Sequence, residues 1–361
     1  MTFKRSLKIA NIQIPLGKTM DVLIPISETY MGTTVSLPTR VIRAKKTGPT
    51  IFVSGAVHGD ELTGVGVIRD LMFKPLDLLR GTLILIPVTN IFGFENHSRY
   101  LPDRRDLNRC FPGLEKGNLG LRLAHAIFHE IIMQCDYGID MHSAAVRRTN
   151  FPQVRADLRN KELAKIAEAF GCEVIMDNEG PVGSLRREAC ENGCPTLIYE
   201  AGEALKFQQG SIEIGVRGVK NVLRFLNMIS GEIEKPAYQS CIKKSQWIRS
   251  NDGGLLQFFV SPGDRVEKGD RIAACQKILI EETEAITSLH EGVILGMTTL
   301  PAVKPGQPIY HIGKAQAPNE RLIKKRDEQN NLHRKAQIQL GSGLKTRRVL
   351  KKEKQNRRLK K

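Results

Sequence analysis

The chain has 361 residues, which is enough for one large domain with a sizeable core and a smaller second domain. Its hydrophobic content of 41% and charged content of 26% are those of an ordinary globular protein. No apolar run approaches the roughly 20 residues that span a bilayer, and the first residues lack a signal-peptide pattern. These features argue against a membrane-spanning or secreted protein, and we expect a cytoplasmic location.

The positive charge is concentrated near the C-terminus. The formal net charge is +17, and residues 314–361 contain seventeen Lys and Arg but only four Asp and Glu. This composition is typical of a disordered tail. Such a tail can bind phosphates without sequence preference, which would suit an adaptor recruited to RNA, ribosomes or an acidic partner. However, no aromatic residue that would stack on bases follows Tyr310.

The cysteines give no sign of a disulfide framework. Their number, seven, is odd, and no Cys-x-x-Cys pair occurs. A reducing compartment is therefore expected.

The N-terminal region reads as short strands at 7–14, 19–26 and 34–42, with turn residues between them. Residues 50–57 are then continuously apolar or β-branched, which predicts a strand buried on both faces. Helical spacing of apolar residues begins after Glu61, so a helix is predicted to follow the strand at this point.

Strands and helices continue to alternate as far as residue 229. The predicted elements are a strand at 82–88, an irregular polar segment at 90–117, a helix at 119–133, a strand at 137–141, a helix capped by Asn160 and closed at Gly171, strands at 173–176 and 196–199, and a helix at 212–229. This alternation predicts an α/β domain over residues 1–235, with a mixed open sheet and helices on both faces.

The pattern changes after residue 240. Residues 241–313 contain short strand-like pieces with many Gly and Pro, and 261–270 is loosely echoed by 301–310. The repeat predicts a small β-sandwich or barrel-like domain that resembles the biotinyl/lipoyl fold. Since Lys277 is not convincingly placed at the hairpin apex where that fold carries its modified Lys, we expect an unmodified structural or substrate-shaping domain.

Three residues at predicted strand ends are candidate metal ligands. His58 and Glu61 stand three apart where the strand at 50–57 ends, and His142 follows the strand at 137–141. Imidazole and carboxylate are zinc ligand types, and three protein ligands leave a fourth position for water. The alternative is a surface His beside a Glu that the helix dipole stabilises. Asp140 could orient His142 or bond a loop amide.

Two further stretches carry candidate chemistry. Asn108 and Arg109 offer amide donors and a planar guanidinium that suit a carboxylate, although Arg109 could instead pair with Asp106. Glu200 ends a buried strand in a predicted apolar setting, which raises the pKa of a carboxylic acid and suits a general base. Glu203 is its structural competitor. A His pair four apart, His125 and His129, could bind metal but fits the flank of an amphipathic helix better.

Four motifs, at residues 55–61, 106–113, 140–142 and 199–202, resemble the succinylglutamate desuccinylase/aspartoacylase family of zinc-carboxypeptidase-like hydrolases, over about residues 20–315. The resemblance implies one Zn²⁺ per chain, a water-activating Glu200 and a substrate carboxylate held by Asn108 and Arg109. The implied zinc ligands are His58, Glu61 and His142. Arg99, with Arg104 and Arg105 as alternatives, would polarise the scissile carbonyl, and Arg186 or Arg187 would contact a substrate anion.

The predicted function is therefore hydrolysis of the amide bond of an N-acylated amino acid or a similar small carboxylate-bearing substrate. The alternative is a carboxypeptidase that trims C-terminal amino acids from a peptide, because the carboxylate clamp does not distinguish the two. A noncatalytic adaptor that uses the basic tail is the alternative from another class.

Overall fold

The computed structural model describes residues 6–74 and 76–315. The predicted basic tail lies, apart from Lys314 and Ala315, outside these residues. Within the described residues, no helix is long and apolar enough to cross a membrane.

The first half of the chain alternates strands and helices. Its elements are β1 (Lys8–Ile9), β2 (Ile12–Gln13), β3 (Thr19–Glu28), β4 (Thr34–Arg43), β5 (Thr50–Gly55), α1 (Thr63–Phe73), β6 (Thr82–Ile86), α2 (Ile91–Glu95), α3 (Leu119–Glu130) and β7 (Tyr137–His142). A single 3₁₀ turn at Leu107–Arg109 interrupts the long polar segment before α3.

The second half begins with further α/β units and ends in strands alone. Its elements are β8 (Arg148–Ala156), α4 (Lys161–Phe170), β9 (Val174–Asp177), α5 (Leu185–Glu191), β10 (Thr196–Glu203), α6 (Gln209–Phe225), β11 (Ser240–Arg249), β12 (Gly254–Phe258), β13 (Arg265–Val266), β14 (Arg271–Gln276), β15 (Thr283–Thr287), β16 (Gly292–Thr298), β17 (Ala302–Val303) and β18 (Pro308–Ala315).

A parallel core of four strands, in the order β6-β5-β7-β10, organises the fold. Every residue of β5, β6 and β7 is buried, as the continuous apolar run in β5 predicts. Helices α1, α4 and α6 pack on one face of the sheet, and α3 and α5 pack on the other. The mixed α/β architecture with helices on both faces is therefore confirmed. Because the core strands are parallel, the ends of β5, β7 and β10 meet at one edge.

The sheet has an open edge at β3, and the two-residue strand β13 flanks β16 near its other end. At the other end the order continues β10-β8-β9-β11-β18-β16, and β16 also pairs with β8, which closes a ring of five strands. Apolar side chains from both halves of the chain form one cluster there: Phe151, Val174, Met176, Ile242, Val293 and Leu295. Strands β12, β14, β15 and β17 form a separate four-stranded sheet. The sequence prediction of an open sheet is thus wrong at this end, since an unpredicted strand, β8, offers a free edge to β16.

Several local predictions are confirmed, and three elements are missed: β8, α5 and the five-residue helix α2, which lies in the segment predicted to be irregular. Asn160 caps α4 by accepting hydrogen bonds from the backbone amides of Glu162 and Leu163, and Gly171 ends the helix with a φ of 85°. Strand β8 is missed because polar and charged residues interrupt its apolar pattern. Helix α5 is missed because it has only seven residues. Lys277 directly follows β14, where its ammonium pairs with Glu282.

Replacement of Phe151 by Ala should test whether residues 1–235 and 241–313 unfold separately. The Phe151 side chain is 1% exposed in the shared cluster, so its loss should lower the free energy of unfolding by about 3–5 kcal/mol. We expect circular dichroism and the fluorescence of Trp247, on β11, to report one transition that moves as a unit. Leu279, 95% exposed, provides the control, and its Ala variant should change stability by less than about 0.5 kcal/mol. A Trp247 transition that stays in place would show two independent units.

Candidate metal centre and catalytic cleft

The loop that carries His58 and Glu61 is held close to α2. The Glu61 amide donates to the His58 carbonyl at 3.1 Å, which turns both side chains toward the carboxyl edge of the sheet. Gly59 lies between them, and a Cβ atom at this position would stand 1.9 Å from the carbonyl carbon of Gly93. Only glycine permits so close an approach of two backbones. The position of both side chains therefore depends on this contact.

The carboxylate of Glu61 lies between two imidazoles. Its Oε1 is 2.6 Å from His58 Nδ1, and its Oε2 is 2.9 Å from His142 Nδ1. The Ser143 amide donates to Oε2 at 2.9 Å, and Arg99 Nη1 approaches Oε1 to 3.3 Å. His58, Glu61 and His142 are all buried. Candidate ligand atoms of these three residues lie within 4.8 Å of one another, slightly wider than the roughly 4 Å of donors sharing one ion.

The second nitrogen of His142 fixes the orientation of its ring. His142 Nε2 lies 2.8 Å from Asp140 Oδ2, and Ser54 donates its hydroxyl to Oδ1 of the same carboxylate at 2.9 Å. An ionised carboxylate only accepts, so Nε2 carries a proton toward Asp140, and Nδ1 is the nitrogen that a metal ion would take. The contact between His142 Nδ1 and the Glu61 carboxylate is favourable with a positive charge between them, which a proton on Nδ1 or a metal ion in its place can supply. Two imidazoles and a carboxylate are a ligand set of catalytic zinc, so the residues present fit a divalent ion.

Charge pairing dominates the electrostatics of this group. Burial disfavours charge on Glu61, but the neighbouring His58 and His142 outweigh it and hold the Glu61 pKa below its ordinary value. Burial likewise opposes a charged His142, yet the Asp140 and Glu61 carboxylates raise its pKa well above the usual value. The site therefore favours a carboxylate that is ionised and surrounded by positive charge.

Arg99 and Asp106 form a second layer beside His58. Arg99 Nη2 donates to Asp106 Oδ2 at 2.9 Å, and Asp106 Oδ1 lies 3.3 Å from His58 Nε2. The backbone amide of Asn108 also donates to Asp106 Oδ1, at 2.9 Å. The structure thus pairs Asp106 with Arg99, whereas the sequence alternative paired it with Arg109. Burial raises the Asp106 pKa, but hydrogen bonding and charge from His58 and Arg99 bring it below its ordinary value.

Asn108 and Arg109 line the same cavity from the 3₁₀ turn. The Asn108 side-chain oxygen accepts from the Leu185 amide, at the start of α5, at 2.9 Å. Arg109 Nη1 donates to the Asn108 carbonyl at 2.5 Å. Gly183, with a φ of 76°, passes close to the Arg109 backbone, since a Cβ there would lie 2.7 Å from its carbonyl oxygen. The turn is therefore fixed by α5 and the loop before it.

Glu200 stands beside His142, because the two are paired positions of the parallel strands β10 and β7. Asn150 donates its side-chain amide to Glu200 Oε2 at 2.8 Å, and Arg155 Nη1 lies 3.4 Å from Oε1. The sequence prediction of an apolar setting is therefore wrong. The antiparallel strand β8, which the sequence pattern does not reveal, supplies these polar neighbours.

A cavity of about 420 Å³ joins these groups. Its lining comprises His58, Glu61, Arg99, Asn108, Arg109, His142, Ser143, Ala144, Ala145, Arg148, Asn150, Arg155, Asn178, Pro181, Arg186, Ile198, Glu200, Trp247 and His311. Trp247 and His311 are paired positions of β11 and β18, so the C-terminal strands form part of the wall. Their rings lie parallel within 7°, with centroids 4.8 Å apart. Burial, with the charges of Arg155 and Arg148, lowers the His311 pKa to about 4.

The remaining predicted residues divide into those in the cavity and those outside it. Arg186 is buried in the lining, and its guanidinium donates to the Asn178 carbonyl and side-chain oxygens at 2.7 and 2.9 Å. Burial, then the charge of Arg155, lowers the Arg186 pKa to about 10. The other candidates, Arg104, Arg105, Arg187, His125, His129 and Glu203, do not line the cavity. Arg187 instead donates to Glu191 at 2.8 Å.

Replacement of Gly59 by Ala should disrupt the metal centre more than the fold. The new methyl group would force the loop away from α2 and separate His58 from Glu61, so we expect metal content and any activity to fall at least about tenfold. Metal analysis of the purified variant measures this directly. Gly253, where a Cβ would meet its nearest neighbour at 3.4 Å, is the matched control. A fully metallated Gly59→Ala variant would contradict the assigned role of the contact.

The central part of the chain is similar in sequence to one family of enzymes. Residues 47–226 match the model of the succinylglutamate desuccinylase/aspartoacylase catalytic domain. The N-alpha-acetyl-L-2,4-diaminobutyric acid deacetylase of Halomonas elongata is 28% identical over 265 residues, which cover 69% of this chain and 77% of that protein.

Solved structures share the fold at lower identity. The succinylglutamate desuccinylase/aspartoacylase of Rhodobacter sphaeroides superposes with a TM-score of 0.74 at 23% identity, covering 87% of this chain and 100% of that one. The product-bound ectoine utilization protein EutE (DoeB) of Ruegeria pomeroyi gives 0.73 at 23% identity, covering 83% and 97%. From its catalytic-domain match, this chain belongs to the succinylglutamate desuccinylase/aspartoacylase family.

Proposed function

We propose that this protein is a zinc-dependent hydrolase, with a zinc-carboxypeptidase-like catalytic fold, that cleaves the amide bond of an N-acylated amino acid. The observation that carries the proposal is the convergence of His58, Glu61 and His142 beside Glu200 at one end of a cavity. The deacetylase relative supports the same reaction class. A cavity of about 420 Å³ is the size of small-molecule sites.

Substrate orientation is assigned to Asn108 and Arg109. The planar guanidinium can pair with both oxygens of the amino acid carboxylate, and the Asn108 side-chain amide can add a further donor. Since Asn108 is anchored to α5 through the Leu185 amide, the clamp is held before substrate arrives. Binding at this point would place the acyl amide toward Glu61 and Glu200.

The chemistry is assigned to Glu200 and Arg99. Glu200 takes a proton from the attacking water as the carbon–oxygen bond forms, and delivers it to the nitrogen as the carbon–nitrogen bond breaks. The products are a carboxylic acid and a free amine. Arg99, already directed at the Glu61 carboxylate, stabilises negative charge on the carbonyl oxygen. A divalent ion held by His58, Glu61 and His142 would supply Lewis acidity toward the carbonyl and the water.

Replacement of Glu200 by Gln should separate metal binding from catalysis. The amide keeps the shape of the side chain but cannot accept the proton, so kcat should fall about 10²–10⁴-fold while one zinc per chain is retained. Amine release and metal analysis measure the two quantities. Glu191→Gln is the control, because this exposed carboxylate lies outside the cavity lining. Near-parental activity in Glu200→Gln would remove Glu200 from the mechanism.

His142→Ala should lose both metal and activity, which distinguishes a ligand from a proton-transfer group.

A panel of N-acylated amino acids and short peptides decides between deacylase and carboxypeptidase. Release of amine from the acylated amino acids alone supports the proposal. Preferential release of C-terminal residues from peptides would replace the deacylase with the carboxypeptidase.

A further inference from the structure

We propose that Gln153 is a positioning residue for Glu200 and acts through a buried water molecule that it binds together with Arg155. The inference rests on the proposed function, which assigns proton transfer to Glu200. Gln153 lies on β8 outside the cavity lining, so it does not touch the substrate. It differs in this respect from Asn150, which lines the cavity and donates to Glu200 directly.

The strand pairing places the side chain of Gln153 beside that of Glu200. The two residues stand directly opposite each other in the antiparallel strands β8 and β10. Side chains at such positions lie on the same face of a sheet, with Cβ atoms about 5 Å apart. Arg155, two residues further along β8, shares this face, and its Nη1 lies 3.4 Å from Glu200 Oε1. The three polar side chains are therefore neighbours.

The amide of Gln153 lacks a polar partner in the described part of the chain. The residue is 0% exposed, and neither its side-chain nitrogen nor its side-chain oxygen makes a hydrogen bond to any described residue. The Nε atom of Arg155 is buried and unpaired in the same way. Because an unpaired buried polar group is costly, nearly all such groups bond to protein or to an ordered water. These donors and this acceptor therefore call for a further partner.

Apolar side chains surround Gln153 on the side away from Glu200. Val174 is its paired position on the parallel strand β9, and Phe151 precedes it by two residues on β8. Both belong to the apolar cluster of the ring of five strands. An apolar residue would suit these neighbours better than an amide does. The amide is therefore to be explained by the polar groups of Glu200 and Arg155 and not by packing.

One water molecule satisfies these groups together. A buried water typically makes about three hydrogen bonds. Here it accepts from the Gln153 amide nitrogen and from Arg155 Nε, and it donates to the Glu200 carboxylate. Since Asn150 donates to Glu200 Oε2 at 2.8 Å, the carboxylate is then held by hydrogen bonds from two directions. A carboxylate fixed in this way keeps the orientation that proton transfer from the attacking water requires.

Replacement of Gln153 by Met tests the proposal, because the side chain keeps its length and suits the apolar neighbours but cannot bind the water. On the best substrate among N-acylated amino acids, kcat should fall about 10- to 100-fold while KM stays close to the parental value. Tm, measured by circular dichroism, should be unchanged or higher, and one zinc per chain should be retained. A parental kcat would overturn the proposal. So would a fall in Tm together with kcat, since Gln153 would then be a structural residue.

Thr39→Val is the matched control for removal of a buried polar group. Thr39, on β4, is 2% exposed, and its hydroxyl has no partner among the described residues. It lies outside the cavity lining, so the variant should keep the parental kcat. An equal loss of kcat in Thr39→Val would show a general effect of core substitutions and contradict the proposal.

Gln153→Asn separates the amide from the volume of the side chain. It keeps the amide on a side chain that is shorter by one methylene group, so it should retain more of the parental kcat than Gln153→Met does. Equal losses in the two variants would assign the effect to volume and overturn the role of the amide.

Crystal structures of the zinc-loaded protein separate this inference from the proposed function. The parental protein should show a water within hydrogen-bond distance of Gln153 and Glu200, and Gln153→Met should lack it and show Glu200 in a changed rotamer. If the parental protein cleaves no acylated amino acid but these differences are found, the hydrolase fails while the role of Gln153 in holding Glu200 stands. If amides are cleaved and the water is missing, the inference fails alone.

Discussion

The carboxylate of Glu61 is the group on which the rest of the site depends. A buried carboxylate is stable only when its oxygens are paired, and here the pairing groups come from separate segments. His58 follows β5, Arg99 follows α2, and His142 and Ser143 stand at the end of β7. The parallel strands bring these segments to one edge of the sheet. The order of the strands therefore brings together the groups that stabilise the buried charge of Glu61.

Glu200 is positioned by both halves of the chain. Its neighbour Asn150 lies on β8, which pairs with β10 along one edge and with β9 and β16 along the other. Gly296 of β16 makes this possible, since a Cβ there would stand 2.6 Å from the Asn150 side-chain oxygen. The ring of five strands is therefore not an appendage to the α/β unit. It sets the geometry of the carboxylate to which we assign proton transfer.

The sequence predicts well those features that depend on local pattern. The ends of β5 and β7 could be placed to within two residues from apolar runs, and three candidate metal ligands follow from those ends. The prediction is wrong for β10, which continues past Glu200 to Glu203. Asn160 and Gly171 likewise mark α4 by capping chemistry alone. These features need no knowledge of which strands are neighbours.

The features that the sequence does not predict depend on contacts between distant segments. Strand β8 has three different partners, so its residues face unlike surroundings and show no regular alternation. For that reason the sequence pattern does not identify Arg148, Asn150 or Arg155 as cavity residues. It also does not reveal the polar setting of Glu200. The sequence around Trp247 does not indicate that this residue lines the cavity, and it stands out only as the single tryptophan of the chain. The family resemblance leaves Arg104 and Arg105 as alternatives to Arg99, because loop length does not fix which side chain reaches Glu61. The structure places Arg99 there.

The pairing of β8 with β16 has a consequence for biosynthesis. Asn150 and its partner Gly296 are separated by 146 positions, so the ribosome needs roughly 7–30 s to supply the second after the first. During that interval the Glu200 carboxylate lacks the support of the closed ring, and one edge of β8 has unpaired amides and carbonyls. Nascent chains therefore pass through a stage at which strand-to-strand association with other molecules competes with maturation, and slow translation of residues 151–296 would prolong it.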